Sequence, residues 1–258
     1  MSPKKITILG ATSGDTGSAA IHSFKSKKDI NVFILHPHNK VSPIQQKQMT
    51  TVIDKNIFNI AVEGNFDDCQ KIVKELFVDD EIQESTSLTA VNSINWARLI
   101  AQVVYYFWAY LQTDKQQINF IVPSGNFGNI FSAFVAKQMG LPIGHLHIAT
   151  NSNDILKSIV DTGEMKKKSV SQTYSPSMDI QVSSNFERQI FESLNRDSKR
   201  VNEVFESFSS KGFYQFDDSV LAKFQQIYKA SSIDDSQTLE TIKYCLLYTS
   251  PSPRDSRR

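Results

Sequence analysis

Short runs rich in Ile, Val and Phe recur along this chain, and each is followed by a polar loop and then by a helical pattern. The runs occupy residues 6–9, 32–35, 57–62, 119–122 and 145–149. Strands that are buried on both faces have this composition, and the strand–loop–helix repetition is typical of βαβ units. The sequence therefore predicts an α/β fold with mainly parallel sheets and helices on both faces.

The bulk properties predict a globular protein of one large or two ordinary domains. The chain has 258 residues, 21% of them charged, and a formal net charge of +1. This charge balance does not favour nucleic acid as a partner, and no stretch approaches the roughly 20 apolar residues of a membrane span. The two cysteines are too few and too far apart for a disulfide framework, so we expect a cytoplasmic protein.

Changes along the sequence predict three regions. Residues 1–95 form a small α/β domain, residues 96–245 form part of a larger domain, and residues 246–258 form a disordered or non-native tail. The tail is rich in Ser, Pro and Arg without periodicity, which is typical of chains that cannot bury a core. A helix over 95–111 carries a broad apolar stripe, which we interpret as packing, and Cys69 lies on the apolar face of another helix.

The segment Ala11-Thr-Ser-Gly-Asp-Thr-Gly-Ser18 follows the first strand and precedes a helix. Its glycines allow close approach of a ligand, and the hydroxyls of Thr12, Ser13 and Thr16 add donors beside the helix N-terminus. Helix N-termini bind anions, so the segment is a candidate anion site. An ordinary capped turn has a similar composition.

A second loop, Pro123-Ser-Gly-Asn-Phe-Gly-Asn129, follows the strand at 119–122 and opens the next helix. Gly125 and Gly128, flanked by Asn126 and Asn129, suit a nest of backbone N–H groups around a phosphate. In open α/β sheets ligands bind beyond the carboxyl ends of strands, which is where this loop is predicted to lie.

A third segment, Asn92-Ser-Ile-Asn-Trp-Ala-Arg98, leads into the helix over 95–111. Asn92 or Ser93 is a candidate helix cap, and Arg98 a surface charge. Ser93 and Arg98 together are equally compatible with a phosphate, which Arg binds through its bidentate fork. The residues of this segment alone leave both interpretations open.

In their order and spacing, these three segments resemble the threonine synthase family of the fungal and enterobacterial type. The resemblance runs from about residue 6 to about residue 154 and continues more weakly to about residue 241. It implies the fold type II architecture of pyridoxal phosphate (PLP) enzymes, which is similar to the tryptophan synthase β subunit. It also implies the conversion of O-phospho-L-homoserine and water to L-threonine and phosphate, with PLP as cofactor.

The resemblance also implies roles for individual residues. The phosphate of PLP is expected at Gly125, Asn126, Phe127, Gly128 and Asn129. Thr12, Ser13 and Asp15 are similar to the loop around the substrate carboxylate, and Thr16, Ser93 and Arg98 to groups on the substrate phosphate. No metal site is expected, and the oligomeric state is not implied.

The Schiff-base lysine of the family lies in a Phe-Lys-Asp segment upstream of the first loop, and this sequence contains no such segment. We therefore expect an N- and C-terminally truncated fragment that is inactive alone, without a catalytic residue of its own. A threonine-synthase-like protein that binds a phosphorylated ligand without turnover is one alternative, and a flavodoxin-like FMN-binding protein is another. His36 and His38 are expected to form a solvent-facing pair in a loop.

Overall fold

The computed structural model describes residues 5–12, 14–64, 66–91 and 95–248. The chain separates into two compact units, the first ending at Asn95 and the second beginning at Trp96. No helix in the described ranges is long and apolar enough to cross a bilayer.

The first unit is built on a four-stranded parallel sheet in the order β3-β2-β1-β4. Its strands are β1 (Ile6–Ala11), β2 (Ile30–Pro37), β3 (Ile57–Val62) and β4 (Ser87–Ala90). Its helices are α1 (Asp15–Phe24), α2 (Pro43–Thr50), α3 (Phe66–Val78) and α4 (Asp80–Ser85). Ser42 caps α2 and Pro43 occupies its first turn, which is the helix start that this pair of residues favours.

Helices cover both faces of this sheet because successive side chains of a strand point to opposite sides. On one face Ile8 and Ile34 pack with Ile21 of α1 and Met49 of α2. On the other face Leu9 and Leu35 pack with the following residues of α3: Cys69, Ile72, Val73, Leu76 and Phe77. The prediction that Cys69 belongs to the core is confirmed.

The second unit contains a three-stranded parallel sheet in the order β5-β6-β9 and an antiparallel pair, β7 with β8. Its strands are β5 (Ile118–Pro123), β6 (Ile143–Thr150), β7 (Glu164–Lys166), β8 (Phe213–Gln215) and β9 (Tyr228–Ser232). Its helices are α5 (Trp96–Leu111), α6 (Gly128–Gln138), α7 (Ile155–Thr162), α8 (Phe186–Ser193), α9 (Ser198–Lys211), α10 (Asp218–Ile227) and α11 (Asp235–Tyr248). One core joins the sheet to α5–α10.

The predicted α/β class with mainly parallel sheets is confirmed, and each of the five predicted strands lies within an observed strand. The short strands β4, β7, β8 and β9 were not predicted. Helix α11 extends to Tyr248, so it includes residues 246–248 of the segment that the sequence assigned to a tail. Residues 249–258 lie outside the described residues.

The apolar stripe of α5 is only partly in the core. Leu99 and Val103 are buried, and Phe107 packs against the core from a half-buried position. The remaining members of the stripe are exposed: Trp96, Ile100, Val104, Trp108 and Leu111. The prediction that the whole stripe is packing is wrong for this chain, because α5 packs through one side on α6 and the sheet while the stripe is wider than that contact.

The prediction of a solvent-facing histidine pair is also wrong. His36 lies within β2, where it pairs with Ala61 of β3, and only 3% of its surface is exposed. His38 is half-exposed and its Nδ1 lies 2.8 Å from Glu63 Oε1. The segment His36-Pro-His38 was predicted to lie in a loop, but pairing with β3 extends the strand through Pro37.

Candidate functional site

The loop at residues 124–127 lies at the carboxyl edge of the parallel sheet, between β5 and α6. It is fixed to the neighbouring strand by the Ser124 N–H, which donates to the Ala149 carbonyl at 2.8 Å. The Ser124 side chain turns back and donates to the Val122 carbonyl at 2.9 Å. The loop therefore leaves the strand at a fixed point, beside the end of β6.

The backbone N–H groups of residues 125–130 have no acceptor among the described residues. The first N–H groups of any helix lack partners within the helix, and a side chain usually satisfies one of them. Side chains do so at α2, α4, α9 and α10, through Ser42, Asp79, Asp197 and Asp217. At α6 the N-cap is Phe127 and no side chain caps the helix. A run of free donors remains at the positive end of a helix dipole, and residues 124–130 include no carboxylate.

Phe127 holds the shape of this loop. Its backbone is left-handed, with φ of 63°, a conformation that costs a residue with a side chain on the order of 1 kcal/mol or more. Its ring is buried and packs edge-to-face on Phe186 and Tyr228, at centroid distances of 5.0 and 5.5 Å. The aromatic contacts offset the backbone strain, so the open nest of N–H groups is built into the core.

Asn126 and Asn129 are held from outside the loop. The Asn126 carbonyl accepts from both the N–H and the Nδ2 of Asn185, at 3.1 and 3.0 Å, and its Oδ1 accepts from Ser184 Oγ at 3.1 Å. Asn129 Oδ1 accepts from the Tyr106 hydroxyl at 2.6 Å. Burial raises the pKa of the Tyr106 phenol well above its ordinary value, so Tyr106 stays a donor. The amide NH₂ groups of Asn126 and Asn129 have no acceptor among the described residues.

Gly125 is required by close packing. A Cβ built there would lie 3.2 Å from Met178 Cα and 3.3 Å from the Ser177 carbonyl oxygen. Both contacts are with backbone of the turn at Pro176–Met178, which cannot move aside as a flexible side chain can. A larger residue would therefore displace the loop or the turn.

The first loop, between β1 and α1, satisfies its N–H groups differently. Thr12 is 97% buried, and its Oγ1 accepts from the Gly14 and Gly17 N–H groups at 3.0 and 2.9 Å. Both lone pairs of the hydroxyl are then used, which leaves its proton to donate. No acceptor for that proton is found in the part of the chain that the structure describes.

Asp15 begins α1, where a carboxylate is favoured by the helix dipole. Its Oδ1 accepts from Gln45 Nε2 at 2.7 Å. Gln45 is itself the third residue of α2: its N–H donates to the capping Ser42 Oγ at 3.3 Å, and Ser42 Oγ donates to its Oε1 at 3.0 Å. Gly14 has a φ of 148°, and a Cβ there would lie 2.4 Å from the Gln45 side chain. The loop and the start of α2 are thus one interlocked structure.

The remaining predicted residues are less completely described. Thr16 lies in the first turn of α1 and Arg98 in the first turn of α5, where it is half-buried. Ser13, Asn92 and Ser93 lie outside the described residues. Gly125, Asn126 and Phe127 lie in the loop, Gly128 and Asn129 begin α6, and Thr12, Asp15 and Thr16 lie around the start of α1.

Comparison with known proteins identifies the family. A family model described as pyridoxal-phosphate dependent enzyme matches residues 2–207. The chain belongs to this family. Threonine synthase from Pseudomonas aeruginosa is 47% identical over 241 residues, which cover 93% of this chain and 51% of the relative. Threonine synthase from Saccharomyces cerevisiae is 46% identical over 254 residues, covering 93% of this chain and 49% of the relative.

Solved structures agree with this assignment. The PLP-bound threonine synthase from Brucella melitensis superposes with a TM-score of 0.87 at 45% identity, covering 95% of this chain and 53% of that one. The predicted architecture of fold type II PLP enzymes is confirmed, and the family assignment speaks against a flavodoxin-like protein. The chain spans about half the length of the curated relatives it matches.

The loop at residues 124–130 fits the phosphate of this family's cofactor. A phosphate ester is a dianion whose oxygens accept hydrogen bonds, and the loop offers consecutive N–H donors, a helix dipole and two free amide groups. This chain therefore contains a cradle of N–H donors that fits the cofactor phosphate and needs no charged side chain.

Sequence reasoning missed the residues that support this cradle. No site was assigned beyond residue 150, yet Ser184 and Asn185 hold Asn126, and Tyr106 holds Asn129. The sequence did offer one indication for Asn185, because it is a polar residue directly before an amphipathic helix, α8. Only the tertiary structure, however, shows that its amide serves a loop 59 residues away.

Proposed function

We propose that this chain is the PLP-phosphate-binding portion of a threonine synthase, an enzyme that converts O-phospho-L-homoserine and water to L-threonine and phosphate. The observation that carries the proposal is the loop of free N–H groups at residues 125–130, in a chain 46–47% identical to threonine synthases. PLP, when bound, supplies an electron sink for the carbanionic steps of this chemistry.

The residues of the second unit would position the cofactor. The N–H groups of Gly125 to Asn129 would bind its phosphate, and the amides of Asn126 and Asn129 would add donors at the rim. Tyr106 and Asn185 orient those two asparagines through the hydrogen bonds described above. Because this site is rigid before binding, little ordering free energy would be lost when the phosphate enters.

The residues of the first loop, together with Ser93 and Arg98, would bind the substrate. Thr12 has a hydroxyl proton to donate to a carboxylate oxygen, and Ser13 lies beside it in sequence. The Asp15 side chain is an acceptor, so it would help a carboxylate only through its backbone, and its charge suits the substrate ammonium instead. Thr16, Ser93 and Arg98 are proposed donors to the substrate phosphate, Arg98 through its guanidinium fork.

A chimera tests the proposed activity. The aligned segment of the Saccharomyces cerevisiae threonine synthase is replaced by this chain, so that the lysine-bearing remainder comes from the yeast protein. We expect phosphate and threonine release from phosphohomoserine, and growth without threonine of a strain that lacks the enzyme. The matched control carries Gly125→Val, which we expect to abolish PLP binding. A folded chimera that binds PLP but releases no phosphate would contradict the proposed reaction.

The 258-residue chain by itself is expected to bind the cofactor phosphate without turnover, because its sequence holds no Phe-Lys-Asp lysine to act as general base. Quenching of protein fluorescence measures PLP binding, and chromatography of the reaction mixture measures threonine release. Threonine release by the chain alone would refute this expectation and remove the case for a non-catalytic binding protein.

A further inference from the structure

The side chain of His36 has no hydrogen-bond partner among the described residues, although it is 97% buried. Its Nδ1 is fully enclosed without a partner. Its Nε2 makes no hydrogen bond with any described residue and is not among the enclosed atoms. Buried polar groups in native proteins are nearly always paired, and an unpaired one costs about 1–3 kcal/mol.

His36 lies on the same face of the sheet as α1 and the first loop. Residues 34 and 36 of β2 point to the same side, and a Cβ built on Gly17 of α1 would lie 2.9 Å from Ile34 Cγ2. His36 is two residues closer to the carboxyl edge than Ile34, and the start of α1 is likewise closer to that edge than Gly17. The alternation of side chains therefore places His36 on the face of the sheet that packs on α1, toward the first turn of that helix.

Thr12 is the lateral neighbour of His36. Ala11 pairs with Leu35 in the parallel register of β1 and β2, and the Thr12 N–H donates to the Leu35 carbonyl at 2.9 Å. The next residues along the two strands are Thr12 and His36. Two buried groups that have no acceptor in the part of the chain that the structure describes, the Thr12 hydroxyl proton and the imidazole, thus occupy neighbouring positions at the carboxyl edge of one sheet.

The two ring nitrogens differ in what they can reach. A proton on Nδ1 would be enclosed with no acceptor among the described residues, whereas a proton on Nε2, at the accessible edge of the ring, would be available to donate to a ligand. The nearby Asp15 carboxylate is bonded to Gln45, 2.7 Å away, and so is directed to α2.

We infer that His36 is a further substrate-binding residue, whose Nε2–H, with the Thr12 hydroxyl, donates to the carboxylate of a small phosphorylated amino acid held at the start of α1. The inference rests on the proposed function, since it takes O-phospho-L-homoserine as the ligand. It adds a residue from β2 to a site otherwise assigned to the loop alone.

Titration of the full 258-residue chain with O-phospho-L-homoserine tests the inference, with the ring nitrogens of His36 followed by ¹⁵N NMR. We expect a shift of the Nε2 resonance and a dissociation constant that His36→Phe raises roughly 10- to 100-fold, since a hydrogen bond to a charged group is lost. His36→Gln keeps a donor at similar reach and should stay within about 3-fold of wild type. His38→Gln, at a half-exposed residue of the same segment, should change nothing.

Competition separates the two ends of the ligand. L-homoserine, which has the carboxylate without the phosphate, should reproduce the His36 shift, whereas inorganic phosphate should not. Binding of phosphohomoserine with equal affinity by wild type and His36→Phe overturns the inference and leaves the proposed function standing. Absence of any binding by the wild-type chain overturns both. If His36→Phe fails to fold, an unmoved Nε2 resonance in wild type overturns the inference alone.

Discussion

The two strand-to-helix loops look alike in sequence and differ in what happens to their N–H groups. In the first loop the Thr12 hydroxyl accepts from Gly14 and Gly17, so the loop is closed partly on itself. In the second loop none of the N–H groups of residues 125–130 has an acceptor among the described residues, and the loop is supported by the packing of Phe127 and by Asn185. A composition of small residues therefore does not distinguish a turn that pairs its own N–H groups from a loop that can bind an anion. Identifying the acceptor of each N–H group does distinguish them.

Removing the Phe127 ring should break the second loop most severely. We expect Phe127→Ala to cost about 3–5 kcal/mol in unfolding free energy, the usual range for a buried phenylalanine. Phe127→Gly loses the same ring but relieves the positive φ, so it should be about 1 kcal/mol more stable than the alanine variant. Chemical denaturation of both variants measures the difference. An alanine variant that is the more stable of the two would show that the left-handed backbone carries no strain.

Asn185 tests whether the second loop is held from outside. Asn185→Ala removes the amide that bonds the Asn126 carbonyl from a fully buried position, and we expect a loss of about 1–3 kcal/mol in stability. PLP affinity should fall by about tenfold or more, because the nest is no longer fixed before binding. Ser184→Ala, at an exposed residue bonded to the same asparagine, is the control and should cost less than about 0.5 kcal/mol. Equal PLP affinity in both variants would argue that the loop keeps its shape unaided.

Thr12 tests the opposite property of the first loop. Thr12→Val preserves the shape but removes the acceptor of two N–H groups, so the unfolding free energy should fall by about 1–3 kcal/mol. Thr12→Ser keeps the oxygen and should lose less than half as much. PLP binding at the second loop should be unaffected in both. A valine variant as stable as wild type would mean that water replaces the threonine oxygen and that the loop is open after all.

Asp217, which caps α10, provides a reference for a capped helix, and its substitution should give the smallest change in stability. Hydrogen bonds from Ser219 and from the Val220 N–H lower the pKa of its carboxyl below the ordinary value. A carboxyl whose pKa is lowered by folding stabilises the folded state at pH values above its unfolded-state pKa of about 4. That stabilisation is lost as the pH falls through its folded-state pKa. Wild type should therefore exceed Asp217→Asn in melting temperature at pH 7, and the gap should close below pH 4. A gap that does not change with pH would mean that charge does not contribute to this cap.

The sequence predicted the parts of this molecule that depend on local pattern. The strand at 57–62 coincides with β3, and Ser42-Pro43 begins α2, because buried strands and capped helices have short-range signals. It predicted the nest at Gly125–Asn129 as a loop and its chemistry as phosphate binding. The free N–H groups agree with that chemistry, which stays a prediction until binding is measured.

What the sequence did not predict depends on contacts between distant segments. His36 was placed in a loop beyond the strand predicted at 32–35, whereas pairing with β3 extends the strand through Pro37. Tyr106 gave no signal as a support, and the position of Asn185 before a helix did not show that its amide binds Asn126, since each acts on one asparagine through a contact formed only on folding. The roles of Asp15, Thr16 and Arg98 come from resemblance and stay predictions, as do those of Ser13 and Ser93.

The cradle at residues 125–130 is made of main-chain atoms, and this has a consequence for how the protein tolerates mutation. Every amino acid except proline carries the same N–H group, so most replacements within the loop leave its donors in place. The substitutions that disable it are those that alter the path of the backbone, at Gly125, Phe127 or the distant Asn185. A survey of variants would therefore find the sensitive positions scattered along the chain rather than gathered at the ligand.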